Sequence, residues 1–513
     1  MHYADWIVLA IYIVVMIAIG VWANRKQTDT EAYFVGNRNI KWWAAGLSII
    51  ATSFSAASIL GVPGYAYSSN MWYLQYQLGD IMAAIIVAVL FIPFFHKVKG
   101  LTTAYEYLEV RFDGKTRLLG SSLFVLTVLL RAGTLLFGAA LLFSAVAPTN
   151  FIPFLNGVEE AVVIFGIVAI IYTAMGGISA VIWTDVIQFV IMSVGILASM
   201  AVVVLATPGG WGVAFAEAGQ LDKLQVIHME EPFAGRGLVT AIFGYGLLAL
   251  SLFGTNQQPV QRYMTVARPR EAQQALMLGV GAGVIGVTLS LLLGVFLFIF
   301  YHHFPNLLPA DLTPDQVMPH FVNTQVPPIV TGLLVAAVFA AAMSSLDSAL
   351  NSLAAALTTD FLARFRPETT QAKRMAFAKA VVVIAGIVGI GVGIYSARTQ
   401  APLIDLILSF MGYFAGGLLG LFLLGMLTRR ANGHGAFTGA IVGTLVVLMM
   451  TENDFRLPKL YEAFGMDAIP FIWSTALGLV VTLIVGYGVS LFGKPVPDER
   501  LEHTTRGGAR IRS

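Results

Sequence analysis

Long apolar stretches separated by short polar segments repeat along the whole chain. About 20 consecutive apolar residues are enough for a helix to cross the hydrocarbon core of a membrane. By this criterion the pattern predicts thirteen helical spans. They run over roughly residues 5–24, 42–67, 73–96, 117–147, 158–176, 179–206, 238–260, 274–302, 326–360, 376–397, 402–427, 434–452 and 468–492. The division between the fifth and sixth spans rests on Gly176 and Gly177.

Hydroxyl and carboxyl side chains interrupt the ninth span, which reads AAVFAAAMSSLDSALNS over residues 336–352. The interrupting residues are Ser344, Ser345, Asp347 and Ser348. At roughly 100° per residue, three serines and Ala341 share one helix face, and Asp347 borders it. Oxygen atoms on a face of small residues suit a hard cation, and a carboxylate at membrane depth indicates function. The alternative is a tight helix seam whose hydroxyls bond to their own helix.

Two other spans contain small or polar residues in their centres. The second span carries TSFSAAS at residues 52–58, and the seventh carries GTNQQP at residues 254–259. Such interruptions are typical of discontinuous helices, whose free carbonyls and N–H groups can bind ions. Counted from the second span, they are elements one and six of ten. We therefore expect two inverted five-helix repeats, at about residues 42–206 and 238–427. The alternative is two merely kinked helices.

Arg131 follows a long apolar stretch and is predicted to lie near mid-membrane. A guanidinium there must face a cavity or a carboxylate. One interpretation is a fork that binds the carboxylate of a solute. The other is a structural pair with Asp80, Asp185 or Asp347.

Further polar residues are predicted within the membrane. Gln77 and Asp80 lie one turn apart on the third span. Gln77 could bond a hydroxylated solute, whereas Asp80 could equally be a packing partner of Arg131. Asp185 and Asp347 could share a cation, or one of them could carry a proton in a relay.

Composition agrees with a membrane protein, because 57% of the residues are hydrophobic and only 11% are charged, against about 25% charged in soluble domains. Most of the 30 Lys and Arg residues, Arg262 among them, fall in alternate loops. The positive-inside rule then predicts an N-terminus outside and a C-terminus in the cytoplasm. A net charge of +2 gives no indication of nucleic-acid binding. No nucleophile–base pair, metal motif or phosphate loop is present, and there is no cysteine, so we do not expect an enzyme.

The chain is predicted to form one all-α transmembrane domain over residues 1–495, followed by a polar cytoplasmic tail at 496–513. The first apolar run, Trp6 to Val21, lacks a preceding basic residue and a cleavage site, so we expect a retained helix. A membrane sensor is a rival from another class, but the tail after Pro495 has no room for a kinase domain.

Seven motifs make the chain resemble the sodium/solute symporter family, which holds the sodium–glucose, sodium–proline and sodium–sialic acid transporters. The motifs are AYFVGNR, WAAGLSIIATSFSAASILGVPGYAY, TTAYEYLEVRF, YTAMGGISAVIWTDVIQ, PVQRYM, FAAAMSSLDSALNS and GMLTRRANGHGAFTGAIVG. The resemblance runs from the first span to Gly443. It implies a leucine-transporter-type fold of two inverted five-helix repeats with extra helices at both ends.

The resemblance also implies site residues. The main sodium site of the family maps onto Ala51, Phe54, Ala341, Ser344 and Ser345. A second sodium site, present in some members, maps onto Asp185, Ser344, Asp347 and Ser348. Family members commonly have Ser or Thr in place of Asp347. The added charge could tighten sodium binding or admit a proton, which leaves the sodium stoichiometry open.

For the solute, the chain is most similar to the bacterial sialic acid branch, whose binding residues map onto Ser53, Ser55, Ser58, Gln77 and Arg131. The resemblance thus implies sodium-coupled import of an acidic hydroxylated solute, most closely sialic acid (N-acetylneuraminate), by alternating access. The alternative is sodium symport of a monocarboxylate, an amino acid such as proline, or a neutral sugar. We expect sodium ions, the solute and membrane lipid as partners, and a functional monomer.

Overall fold

The computed structural model describes residues 1–24, 30–98, 100–147, 152–173, 177–229, 237–399, 403–451, 457–502 and 504–505, and the regular structure in these ranges is helical. The principal helices of the first half are α1 Tyr3–Asn24, α2 Trp42–Ser53, α3 Gly61–Ser68, α4 Tyr76–Ile86, α5 Gly114–Val146, α6 Gly157–Thr173 and α7 Ile178–Ala206. Those of the second half are α8 Gly246–Thr255, α9 Gln257–Met264, α10 Pro269–His303, α11 Val330–Ala356, α12 Gln371–Thr399, α13 Leu403–Leu427, α14 Gly433–Met450 and α15 Ser474–Leu491.

Shorter segments link or extend these helices. The separate ones are Thr30–Val35, Gly36–Arg38, Ala56–Ile59, Trp72–Gln75, Glu106–Arg111, Gly210–Gln220, Pro305–Leu307, Pro314–Gln325, Leu460–Ala463, Phe471–Trp473 and Asp498–Leu501. Wider π-helical turns extend three helices: Val87–Phe91 follows α4, Thr240–Tyr245 precedes α8 and Leu357–Leu362 follows α11. Helical residues continue beyond two of these turns, at Ile92–Lys97 and Ala363–Phe365.

Within the described ranges, nine helices are long and apolar enough to cross a membrane, and a bent pair would make a tenth. The chain is therefore an all-helical, multi-span membrane protein, although the predicted count of thirteen spans is not confirmed. Two apolar helices, Tyr3–Ile19 and Thr240–Thr255, are shorter. The predicted division near Gly176 falls partly outside the described residues, since α6 ends at Thr173 and α7 begins at Ile178.

Both predicted helix interruptions are confirmed. The axis of α2 is bent by 74° from that of the helical segment Ala56–Ser68, with Phe54 and Ser55 in extended conformations between them. The second interruption is at Asn256, which is extended between α8 and α9 (φ −76°, ψ 132°). A merely kinked helix would keep helical dihedral angles, so the backbone is unwound at both places.

Helix α11 is the most enclosed membrane-crossing element among the described residues, with 94% of its apolar window buried. It packs against α1, α2, α5, α6, α7, α9 and α12. Its alanines and serines permit this crowding because small side chains let neighbouring backbones approach closely. At one contact, a Cβ added to Gly195 of α7 would lie 2.5 Å from the Cβ of Ala337.

A lysine from the connection between α7 and α8 is held at the end of α3. Lys223 is only 9% exposed, and its Nζ donates to the carbonyls of Tyr67 at 2.8 Å and Ser69 at 2.6 Å. The same ammonium lies 3.7 Å from the ring centroid of Phe298 in α10. Burial lowers the pKa of Lys223 to about 8. Its positive charge complements the carbonyl end of the helix and ties this connection to α3, the second part of the broken span.

A buried ion network lies at the opposite end of the bundle. Arg117 of α5 donates to Asp360, which follows α11, at 2.7 Å and to Glu109 at 2.7 Å. Ser121 and Thr103 also donate to Asp360, at 2.9 and 2.7 Å. The network joins α5, the end of α11 and the connection between α4 and α5.

Candidate functional site

The unwound backbone beyond α2 faces the serines of α11. Ser344 Oγ donates to the Ala51 carbonyl at 2.8 Å and to the Ala341 carbonyl of its own helix at 3.1 Å. Ser345 Oγ donates to the Thr52 carbonyl at 2.9 Å. The alternative of a tight seam, in which the hydroxyls bond to their own helix, is therefore observed only in part. Ser344 does bond to its own helix, but both hydroxyls also donate to carbonyls of α2.

This group of oxygens, here called the ion cluster, comprises the Ala51, Thr52 and Ala341 carbonyls with the Ser344 and Ser345 hydroxyls. Four of the five residues predicted for the main sodium site belong to it. The fifth, Phe54, lies in the unwound segment, and its side chain lines the adjacent cavity. The Thr52 carbonyl is a member that sequence reasoning missed. A buried donor set made only of neutral oxygens fits a small hard cation such as sodium.

The residues predicted for a second sodium site fall into two groups. Asp185 and Ser348 are bridged by a fully buried arginine, because Arg262 Nη2 donates to Asp185 Oδ2 at 2.9 Å and to Ser348 Oγ at 2.5 Å. Asp347 instead accepts a hydrogen bond from Thr173 at the end of α6. Ser344 belongs to the ion cluster.

Arg262 lies inside the bundle and not in the loop that the charge pattern predicted. Its Nε donates to Ser48 Oγ at 2.6 Å and its Nη1 to the Gln258 carbonyl at 2.8 Å. Ser48 in turn donates to Asp185 at 2.5 Å. Unwinding at Asn256 places the polar helix α9 in the protein interior, where a paired guanidinium is tolerated. The other carboxylate oxygen of Asp185, Oδ1, is buried without a hydrogen-bond partner and remains available to a cation.

All the residues predicted to bind the solute line one cavity. It encloses about 990 Å³, counting its opening to solvent. The predicted residues on its wall are Ser53, Ser55, Ser58, Gln77 and Arg131. Asp80, Tyr73 and Tyr245 also contribute, which gives the cavity several hydroxyl groups and one carboxylate among apolar side chains.

Arg131 is 5% exposed and has no carboxylate partner in the part of the chain that the structure describes. Its Nη1 donates to Gln258 Oε1 at 2.9 Å, and its Nη2 lies 3.4 Å from the Thr52 carbonyl. Its Nε is buried without a partner. The structural-pair alternative is therefore not observed, since Asp185 pairs with Arg262 and Asp80 contacts Tyr245 at 3.4 Å. A guanidinium with unused donors beside a cavity can bind an anion.

The ion cluster and the cavity share one carbonyl. Thr52 O accepts from Ser345 at 2.9 Å and lies 3.4 Å from Arg131 Nη2. A change in the position of this carbonyl alters both the cation ligands and the orientation of the guanidinium. The site can therefore couple binding of a cation to binding of an anion.

Comparisons with known proteins point to transporters. The sequence profile of the sodium:solute symporter family matches residues 33–443. The sodium/sialic acid symporter NanT of Aliivibrio fischeri is 31% identical over 488 residues, which cover 94% of this chain and 92% of NanT. A substrate-bound, outward-open structure of a Na⁺-coupled sialic acid symporter superimposes with a TM-score of 0.84 at 29% identity, covering 97% of this chain and 99% of that chain. Mhp1, a nucleobase-cation-symport-1 family transporter, shares the fold, with a TM-score of 0.56 at 17% identity over 92% of this chain and 97% of Mhp1.

Proposed function

The chain belongs to the sodium:solute symporter family, and we propose that it imports a small acidic, hydroxylated solute together with sodium. The first candidate is N-acetylneuraminate, because NanT and the symporter of known structure are both named for sialic acid. The observation that carries the proposal is Arg131, a buried arginine that lines the cavity without a carboxylate partner among the described residues. The carboxylate of an acidic solute would supply that partner.

The hydroxyl groups in the cavity favour a hydroxylated acid over a plain monocarboxylate. Ser55, Ser58 and Gln77 lie on the same cavity wall as Arg131 and can exchange hydrogen bonds with sugar hydroxyls. A neutral sugar would leave the buried guanidinium uncompensated, which is unfavourable. An amino acid or a monocarboxylate is the alternative solute, because each supplies the carboxylate.

Sodium coupling is proposed to act through the ion cluster and the adjacent Phe54, with Ala51, Phe54, Ala341, Ser344 and Ser345 as ligands. These residues join the unwound segment beyond α2 to α11. Holding them together fixes the Thr52 carbonyl and with it the guanidinium of Arg131. Sodium supplies the driving force through its inward concentration gradient. Each sodium ion beyond the one that balances the solute carboxylate also moves a net charge, which releases roughly 2.3 kcal/mol at about 100 mV. Alternating access then follows from movement of the broken helices relative to α11.

A second cation site is proposed around Asp185, Ser344, Asp347 and Ser348. The unpartnered Oδ1 of Asp185 supports it. Asp347 either contributes to that site or carries a proton. For the whole protein we propose a monomer in a bacterial inner membrane, with the N-terminus outside and the C-terminal tail in the cytoplasm. The two inverted repeats keep their predicted bounds, at about residues 42–206 and 238–427.

Uptake of radiolabelled N-acetylneuraminate into proteoliposomes tests this proposal. An inward sodium gradient should drive accumulation, and potassium in its place should not. Arg131→Lys keeps the charge but loses the planar fork, so uptake should fall about 10- to 100-fold. The matched control is Arg268→Met, which removes an exposed arginine at the start of α10.

Unlabelled competitors then identify the solute class. N-acetylneuraminate should compete more strongly than pyruvate, proline or galactose. Equal sodium-driven uptake by wild type and Arg131→Lys would disprove the role of the guanidinium. Stronger competition by proline or pyruvate would replace sialic acid with that solute.

A further inference from the structure

Gln258 lies among three residues of the site: Arg131, which lines the solute cavity, Ser345 of the ion cluster, and Arg262, which pairs with Asp185. It is the second residue of α9, directly beyond the unwound Asn256, and only 1% of it is exposed. Its backbone is held on both sides. The Gln258 N–H donates to Asn256 Oδ1 at 2.9 Å, and the Gln258 carbonyl accepts from Arg262 Nη1 at 2.8 Å. A backbone fixed in this way presents the side-chain amide in a defined orientation.

The Gln258 amide contacts both functional centres. Its Oε1 accepts from Arg131 Nη1 at 2.9 Å, and its Nε2 lies 3.5 Å from the carbonyl of Ser345. The second distance is at the outer limit of hydrogen bonding, so this bond is weak as observed. One side chain therefore reaches the anion-binding guanidinium and the backbone of a proposed sodium ligand.

The contact with Arg131 has a consequence for solute binding. A carboxylate that binds side-on to a guanidinium needs two parallel N–H groups, and Arg131 Nη1 already donates to Gln258. A charged carboxylate is a stronger acceptor than a neutral amide by roughly twofold in energy. Nη1 carries two N–H groups, so the solute carboxylate competes with Gln258 Oε1 when it takes the N–H that Gln258 accepts, and in that geometry it displaces the amide oxygen. The displaced amide can then turn towards the Ser345 carbonyl and shorten the weak bond.

We infer that Gln258 is the positioning residue that couples solute binding to sodium binding. Its amide oxygen orients Arg131 for the solute, and its amide N–H₂ responds to that binding at the backbone of Ser345. This inference rests on the proposed function, because it needs an acidic solute and sodium as the two ligands. Coupling of this kind is reciprocal, so sodium must raise solute affinity by the same factor as the solute raises sodium affinity.

The coupling factor is the quantity to measure. It is the ratio of the Kd of N-acetylneuraminate for purified protein at low sodium to the Kd at saturating sodium, at constant ionic strength. Wild type should give a factor in the range of about 5 to 150. Gln258→Met preserves length but has no amide, and its factor should fall to about threefold or less. Sodium alone should still raise its thermal stability, because the ion cluster keeps its oxygens.

Gln258→Glu is a second variant, and it acts by blocking Arg131 where Gln258→Met removes the amide. The new carboxylate lies at the observed position of Oε1, next to Arg131 Nη1. It should occupy the guanidinium in place of the solute and weaken binding of N-acetylneuraminate about 100-fold. Sodium should stabilise this variant at least as much as wild type, because the new carboxylate stands in for the carboxylate of the solute.

Gln261→Met is the matched control on the same helix. Gln261 is fully buried, and its amide donates to the Phe34 carbonyl at 2.7 Å, away from Arg131. Its coupling factor should equal that of wild type. An unchanged factor in Gln258→Met, or an equal loss in Gln261→Met, would overturn the inference while leaving the proposed function intact. Absence of sodium-dependent binding of the acid to wild type would instead overturn the proposed function itself.

Discussion

Removal of Arg262 is expected to have a large effect, because this side chain belongs to a buried ion pair. The guanidinium and the Asp185 carboxylate are both fully buried, with 2.9 Å between Nη2 and Oδ2. Arg262 also donates to Ser48, Ser348 and the Gln258 carbonyl. It thus joins α2, α7, α9 and α11 through one side chain. Arg262→Met keeps much of the volume and leaves the carboxylate of Asp185 without its counter-charge.

The expected cost follows from breaking a buried pair. Removing one partner of such a pair costs about 3–5 kcal/mol, because an uncompensated charge remains. Removing both in Arg262→Met/Asp185→Asn should cost less than the sum of the two single changes, with an interaction energy of about 1–3 kcal/mol. For a chain of this length we expect the melting temperature of Arg262→Met to fall by about 5 °C.

Sodium distinguishes this pair from an ordinary structural pair. In Arg262→Met, the oxygens of Asp185 and Ser348 that held the guanidinium are available to a cation. Sodium should therefore bind more tightly at Asp185 in Arg262→Met than in wild type and stabilise the variant more, by at most about 2.7 kcal/mol when sodium is at a hundredfold excess over its Kd. The double variant should lose this gain because the carboxylate is absent.

Thermal unfolding of purified protein in sodium chloride and in choline chloride measures these effects. Arg111→Met is the control, because Arg111 is also fully buried but donates to the carbonyls of Gly425 and Thr428. It should lose stability equally in both salts. The reasoning would be refuted if the stability losses of the two single variants added up to that of the double variant. Equal stabilisation of wild type and Arg262→Met by sodium would refute it as well.

Two further predictions concern the ion cluster and the end of α3. Ser345→Ala should raise the sodium concentration for half-maximal uptake about tenfold, since one oxygen ligand is lost. Ser352→Ala is the control and should leave that concentration unchanged, because the Ser352 hydroxyl bonds to its own helix. Unchanged sodium activation in Ser345→Ala would remove the ion cluster from the mechanism. Burial lowers the pKa of Lys223 from 10.5 to about 8, so the unfolded chain binds more protons between these pH values and folded stability rises with pH there. Between pH 7 and 10 the free energy of unfolding of wild type should therefore rise relative to that of Lys223→Met, by at most about 3 kcal/mol. A difference in melting temperature between the two proteins that does not change with pH would contradict this.

The elements that sequence reasoning located correctly have strong local signals. Small and hydroxylated residues at 52–58 and the Gly-Thr-Asn run before Gln257 marked both helix interruptions, because neither pattern suits a continuous apolar helix. The serines of α11 marked the oxygen-bearing face. Arg131 was placed near mid-membrane by its distance from the preceding loop charges, and the structure shows it buried.

The features that were missed depend on long-range packing. Arg262 was assigned to a loop because hydropathy treats a charge near the end of a span as outside it. Its burial requires α9 to re-enter the interior beyond Asn256 and Asp185 to meet it from a helix 77 positions earlier. The carbonyl of Thr52 was missed because the direction of a backbone group depends on the 74° bend, which composition does not specify.

The charges around the site explain why an acidic solute needs cations to enter. Two arginines and three aspartates lie between the cavity and the second predicted cation site: Arg131, Arg262, Asp80, Asp185 and Asp347. Their formal charges leave one negative charge before any solute binds. A solute carboxylate adds another in a region of low dielectric, where uncompensated charge is expensive. Two sodium ions restore neutrality when all three aspartates are ionised, and one suffices when an aspartate is protonated. The two roles left open for Asp347 therefore predict stoichiometries that differ by one sodium ion per solute.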